Sequence, residues 1–184
     1  MQVEMKRMRC RRKKQGNGAR SKKTKRGVEK MKLLVSACLL GCACRYDGAA
    51  KQNRPLVDWL KSHDCTPVPV CPEIYGGLPT PRTPAERQGS RVVNRDGQDV
   101  TAQYEKGAAE ALALARLAGC EAAVLKARSP SCGCGLVYDG SFTGTLVPGN
   151  GVAADLLLKN GLPVFSEETL DRLDQWAQSR HSET

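Results

Sequence analysis

Three cysteines in this chain each stand just past a stretch suited to a buried β-strand: Cys38 after residues 32–37, Cys71 after residues 66–70, and Cys132 shortly after residues 121–126. Thiolates hold iron–sulfur clusters, and a cubane cluster with only three protein thiolates leaves one iron free to bind a substrate atom as a Lewis acid. Cys38, Cys71 and Cys132 suit that arrangement. Zinc competes for the same residue type, but its paired ligands are usually separated by about two to four residues. Here Cys42-Ala-Cys44 and Cys132-Gly-Cys134 each have one intervening residue. Cys38 and Cys42 begin like a radical-enzyme cluster motif, yet Cys44 arrives one residue early and the chain is short for the full barrel, of about 250 residues, that such chemistry uses.

The other cysteines have quieter readings. Cys65 and Cys120 lie near strand starts, where a free thiol behaves as a small buried hydrophobe, and Cys10 lies in a basic leader. Cys42, Cys44 and Cys134 sit beside the proposed ligands as alternate ligands, sulfur acceptors or thiols without a role. The chain has nine cysteines and no secretory signal, since the leader lacks an apolar core. That combination predicts a reducing, cytoplasmic setting and metal or catalytic use rather than a disulfide framework. No run of about 18 apolar residues is present to span a membrane.

The elements that must position these thiols read as α/β. Lys-Leu-Leu-Val-Ser-Ala at 32–37 is apolar without alternation, as parallel strands covered on both faces tend to be. A short helix is expected over 55–61, and Thr-Pro-Val-Pro-Val at 66–70 is extended because each proline pushes its predecessor toward the β region. Residues 102–118, rich in Ala and Leu, form the surest helix, with Thr101 as N-cap and Gly119 just past its end. A third strand follows at 121–126. Residues 152–159 read as helix, 162–165 as extended, and 166–168 as the acidic start of a last helix. Hairpin turns are expected at Asp96-Gly97, between 91–93 and Val100, and within 138–147 around Gly140 and Gly144. The prediction is a single Rossmann-like domain with a mostly parallel sheet. Such sheets place ligands beyond the carboxyl ends of their strands, where the three cysteines would converge on one cluster site.

Several motifs in order resemble the thiouracil desulfurase (TudS-like) family. They are Ser36-Ala-Cys-Leu-Leu-Gly41 with Cys44-Arg-Tyr-Asp-Gly48, then Cys71-Pro-Glu73 with Gly76-Gly77-Leu78 and Pro81-Arg82, then Leu125-Lys126 with Ser129-Pro-Ser-Cys-Gly133. The resemblance runs from about Met31 to about Trp176 and takes in Asp99-Val-Thr101 and Val164-Phe-Ser-Glu-Glu168. It implies a [4Fe-4S] cluster on Cys38, Cys71 and Cys132 whose open iron takes the sulfur of a thiolated pyrimidine without net redox chemistry, while water replaces sulfur on the ring. It also implies Glu73 and Ser129 as the substrate-activating groups.

Local chemistry bears on the same residues. Glu73 stands two residues after a proposed ligand and could act as general base or acid, or else be an exposed loop carboxylate. Ser129 and Ser131 flank Pro130, and either hydroxyl could bond a substrate ring edge or cap a turn. Lys126 and Arg82 could offset negative charge developing on sulfur or oxygen, or lie at a strand end and face solvent.

The net charge of +10 is concentrated at one end. Residues 1–30 carry 13 Lys and Arg against Glu4 and Glu29, whereas residues 31–184 carry 16 basic and 17 acidic residues. With little apolar content, residues 1–30 are expected to be a disordered basic leader, or an extension ahead of a translation start at Met31. Residues 31–178 form the expected domain and 179–184 a polar tail. The domain is close to neutral, so nucleic acid is a partner only through the leader. Two functions follow: a desulfurase acting on a thiolated pyrimidine, or a non-catalytic iron–sulfur or zinc binding module that the leader associates with RNA.

Overall fold

A computed structural model describes residues 30–181. In chain order the elements are β1 (Lys32–Ser36), a 3₁₀ turn (Ala37–Leu40), α1 (Arg54–Ser62), β2 (Thr66–Val70), α2 (Pro72–Tyr75), β3 (Ala85–Gln88) and β4 (Arg91–Asn94). Then come α3 (Thr101–Ala118), β5 (Ala122–Leu125), β6 (Leu136–Tyr138), β7 (Leu146–Pro148), α4 (Val152–Lys159), β8 (Val164–Ser166) and α5 (Leu170–His181). The main sheet is parallel throughout, in the order β2-β1-β5-β8.

Alternate strand residues face opposite sides, and both sides are covered, which is why these strands are apolar without a polar face. Leu33, Val35, Ala122 and Val124 pack with Leu56 and Leu60 of α1 and Leu173 of α5. Leu34, Ala123 and Leu125 pack on the other side with Ala111 and Ala115 of α3 and Ala154 and Leu157 of α4. Only β2, an edge strand, tolerates prolines at 67 and 69. From β1 the chain moves outward to β2, then returns across the sheet to β5 and on to β8. The order therefore reverses between β1 and β5, and a crevice opens at their carboxyl ends.

The expected helix at 55–61 forms as α1, with Asn53 accepting a hydrogen bond from Leu56 N at 2.8 Å. Thr101 does not cap α3; it is the helix's first residue, and its hydroxyl accepts from Val92 N at 2.9 Å. Gly119 ends α3 in the left-handed region, as its position suggested. The turn expected at Asp96-Gly97 forms, with Val93 bridging Asp99 in antiparallel sense and Val100 N donating to Val92 O at 2.9 Å; β4 pairs in addition with β3. Strand β3 reads Ala-Glu-Arg-Gln, so nothing apolar announced it. The second hairpin forms as β6–β7. Helix α5 begins at Leu170 because residues 166–169 form a turn in which Ser166 Oγ accepts from Glu168 N.

The expected leader lies outside the described residues, apart from Lys30. The last helix runs to His181, past the expected boundary at 178. Among the described residues no helix is long and apolar enough to cross a membrane.

Candidate active site

Each cysteine is delivered by a turn that follows a strand of the switch-point region. Cys38 sits in the 3₁₀ turn after β1, closed by Gly41 in a left-handed conformation. Cys71 directly follows β2 and occupies the N-cap position of α2. Cys132 follows β5 in a turn organised by Ser129, whose Oγ accepts from Ser131 N and from Cys132 N, both at 3.1 Å. The three cysteines, with Cys44, Glu73 and Ser129, line one cavity of about 550 Å³.

The thiols lie within one another's fields. Burial pushes Cys38 up to about 11, and neighbouring Cys71 adds to the rise. Burial raises Cys132 as well; a hydrogen bond with Ser36 works the other way, and Glu73, Cys38 and Cys71 raise it further. Cys44 is pushed up to about 12 by burial and then by Cys71. Buried thiolates packed this way need positive charge beside them, which a metal centre supplies. Cys38, Cys44, Cys71 and Cys132 give the cavity wall an all-cysteine donor set, whose chemistry suits an iron–sulfur cluster.

Glu73 lies in the first turn of α2 and is not an exposed loop carboxylate. Its Oε2 accepts from both Nε and Nη2 of Arg82 at 2.7 Å, and its Oε1 is 3.4 Å from Ser129 Oγ. Tyr104 of α3 is buried at 2% exposure with its hydroxyl hydrogen-bonded to Glu73; burial first, then the Glu73 charge, raise its pKa. Helices α2 and α3 approach closely enough for this because both contact points are glycine. A Cβ at Gly107 would strike Pro72 O, and one at Gly76 would strike Gln103 O.

Arg82 lines the cavity, but its donors are taken. Besides Glu73, it reaches Cys44 O at 3.1 Å, Pro79 O at 3.2 Å and Thr80 Oγ1 at 3.3 Å. Burial works to lower its pKa, but Glu73 outweighs that and the net shift is upward. Lys126 also lines the cavity, with Nζ paired to Glu167 and donating to Ala127 O. Ser131 corrects the sequence expectation. It is fully buried, lies outside the cavity lining, and its Oγ has no partner. Its carbonyl accepts from Ala153 N and Ala154 N, so it seats the start of α4. Ser129, Pro130 and Cys132 of this turn line the cavity, while Ser131 points away from it into the core.

The neighbouring thiols separate in the same way. Cys44 is buried in the cavity wall, whereas Cys42 is exposed and Cys134 donates toward Val164 O at 3.5 Å, both outside the lining. Cys65 and Cys120 lie elsewhere, half-buried. Sequence reasoning missed Tyr104, which sits in an ordinary helical pattern. It also missed Glu86, a buried carboxylate in the unannounced strand β3. The segment Gly140-Ser-Phe-Thr-Gly144 was read as a turn only; its one signal was a bulky aromatic among glycines and hydroxyls.

Fold and site together define a parallel α/β protein with a thiol-lined small-molecule pocket at its switch point. The chain belongs to the 2-thiouracil desulfurase family, which it matches over residues 33–169, from β1 to the turn before α5. It is 43% identical over 152 residues to "Uncharacterized protein YbbK" of Bacillus subtilis (strain 168), covering 76% of this chain and 97% of that protein. A solved structure named as the [4Fe-4S]-dependent thiouracil desulfidase TudS superposes with a TM-score of 0.76 at 46% identity, covering 81% of this chain and 99% of that one.

Proposed function

We propose that this protein desulfurates a thiocarbonyl on a pyrimidine-type ring such as 2-thiouracil, exchanging sulfur for the oxygen of water and releasing hydrosulfide. The observation that carries this reading is the meeting of Cys38, Cys71 and Cys132 with the Glu73–Ser129 pair in one cavity. The three thiolates would hold a [4Fe-4S] cluster, the cofactor named for the related TudS. When bound, the cluster supplies a Lewis-acidic iron for the thiocarbonyl sulfur.

The protein's own groups handle the proton and the oxygen. Arg82 anchors Glu73 Oε2, which leaves Oε1 to accept a proton from water as it adds to the ring carbon. Both lone pairs of Ser129 Oγ are engaged by backbone N–H groups, so its own proton is the part left to give, to Glu73 or to the substrate's ring edge. Lys126, oriented by Glu167, adds positive charge at the cavity wall where negative charge develops. A carbon–oxygen bond forms and a carbon–sulfur bond breaks. One water proton leaves with sulfur as hydrosulfide and the other passes through Glu73 to solvent, so no electrons are gained or lost.

The test is anaerobic purification, iron and sulfide analysis, and incubation with 2-thiouracil. Uracil and sulfide should appear in equal amounts from protein containing iron and sulfide. Zinc in place of iron, or a full cluster that yields no uracil, would establish the non-catalytic binding module instead.

A further inference from the structure

Phe142 is one of two phenylalanines in the chain, and it occupies a backbone conformation that phenylalanine rarely adopts, with φ of 58°. Its neighbourhood holds it there. The buried carboxylate of Glu86 accepts from Gly140 N and Phe142 N, both at 3.0 Å, and Gln88 Nε2 donates to Gly140 O at 2.8 Å. Thus β3 clamps the tip of the β6–β7 hairpin from two sides. The Arg95 guanidinium lies over the Phe142 ring, 5.5 Å from its centroid. The ring is only half-buried, and it lines the same cavity as the cysteines, Glu73 and Ser129.

A glycine would satisfy this turn with no strain, and a small polar residue would suit the hydroxyl network beside it, in which Ser141, Thr143 and Thr145 bond one another. Strain held in place by a buried carboxylate, at a residue on a cavity wall, points to use of the side chain itself. A rigid aromatic face is suited to a planar ring with its own π system, because such rings stack without needing particular hydrogen-bond donors. Accepting the desulfurase reading above, we infer that Phe142 is the specificity-determining seat for the substrate ring: it stacks on the heterocycle through the side away from Arg95, while Glu86 and Arg95 hold it in place. The seat selects cyclic, conjugated thiocarbonyls over acyclic ones of equal reactivity.

Stacking of a base on an aromatic side chain contributes about 1–3 kcal/mol, which corresponds to about 5- to 150-fold in affinity. Cluster-loaded full-length protein and its Phe142→Leu, Phe142→Tyr and Phe142→Trp variants, matched for iron and sulfide, would be compared in two measurements. The first is steady-state desulfuration of 2-thiouracil; the second is calorimetric binding of uracil, the product ring. Phe142→Leu, which keeps apolar bulk but lacks a π face, should raise KM and the uracil Kd together by at least fivefold while kcat stays within about threefold. Phe142→Tyr and Phe142→Trp should restore both values. Unchanged KM and uracil Kd in Phe142→Leu overturns the seat and leaves the desulfurase reading intact. Loss of kcat alone also overturns it, since that marks a reacting or structural role. If the loaded wild-type protein yields no uracil, the functional reading fails separately; the seat then stands or falls on whether uracil binds and whether Phe142→Leu weakens that binding.

Discussion

At the residue scale the site divides its labour among groups that no spacing rule would separate. Cys38, Cys71 and Cys132 offer thiolates, so Ala at any one of them should lower iron content and turnover together, as read by iron and sulfide analysis beside uracil formation. Glu73→Gln keeps the shape and removes the basic carboxylate. We expect a full cluster complement with turnover down by about 10²- to 10⁴-fold, measured in single-turnover desulfuration by protein matched for iron and sulfide. Near-normal turnover would remove Glu73 from the chemistry. Arg82 has the opposite signature, because its nitrogens are committed to Glu73 and to the carbonyls around it. Arg82→Met strands a carboxylate that is only 14% exposed, and the expected loss is about 3–5 kcal/mol of folding stability, read from denaturant unfolding. An unfolding midpoint equal to wild type would show that the pair does not hold α2 to the loop at residue 82. The two serines illustrate how much a turn decides: local chemistry left Ser129 and Ser131 level and only the family resemblance favoured Ser129, whereas in the structure one organises the Cys132 turn and the other is fully buried.

At the element scale the decisive contact is the crossing of α2 and α3, where Pro72 O lies against Gly107 and Gln103 O against Gly76. The crossing sets the height of Glu73 above the sheet and brings the Tyr104 hydroxyl to it. Gly107→Ala places a methyl group where backbone oxygen already sits, so the helices must part. Overpacking of this kind costs about 1–3 kcal/mol, and thermal unfolding should register it. Activity should fall with it, since Glu73 moves with α2. A Gly107→Ala protein with unchanged unfolding midpoint and turnover would show that the crossing has slack. Of the two helices, α3 was legible from propensity and from Gly119 at its end, whereas α2 was not expected from the sequence. Their closeness was not legible either, because a glycine inside a helical stretch reads only as a weak spot until the neighbour it admits is known.

At the scale of the whole molecule, charge and catalysis occupy different parts of the chain. The family match begins at residue 33, within β1, whereas 13 basic residues lie among residues 1–30. Deleting residues 1–29 should leave cluster content and 2-thiouracil turnover within about twofold of the full chain. If the leader binds RNA, affinity should fall steeply with salt and disappear on deletion, because phosphate neutralisation by Lys and Arg releases condensed counterions. Filter binding across a salt series checks this, and salt-independent binding would exclude it. By itself the sequence determined the alternation of strands and helices, the parallel sheet, and the positions of three cysteines past strand ends. Those features follow from local apolar runs, proline and glycine punctuation, and the rule that parallel strands deliver residues to one edge. Only the tertiary structure decided which neighbours reach the crevice: Cys44 but not Cys42 or Cys134, Ser129 but not Ser131, and Tyr104, Glu86 and Phe142, of which only Glu86 comes from an element the sequence did not announce. Orientation within a turn, and contact between segments distant in the chain, depend on how helices pack across the sheet, and no local pattern encodes that packing.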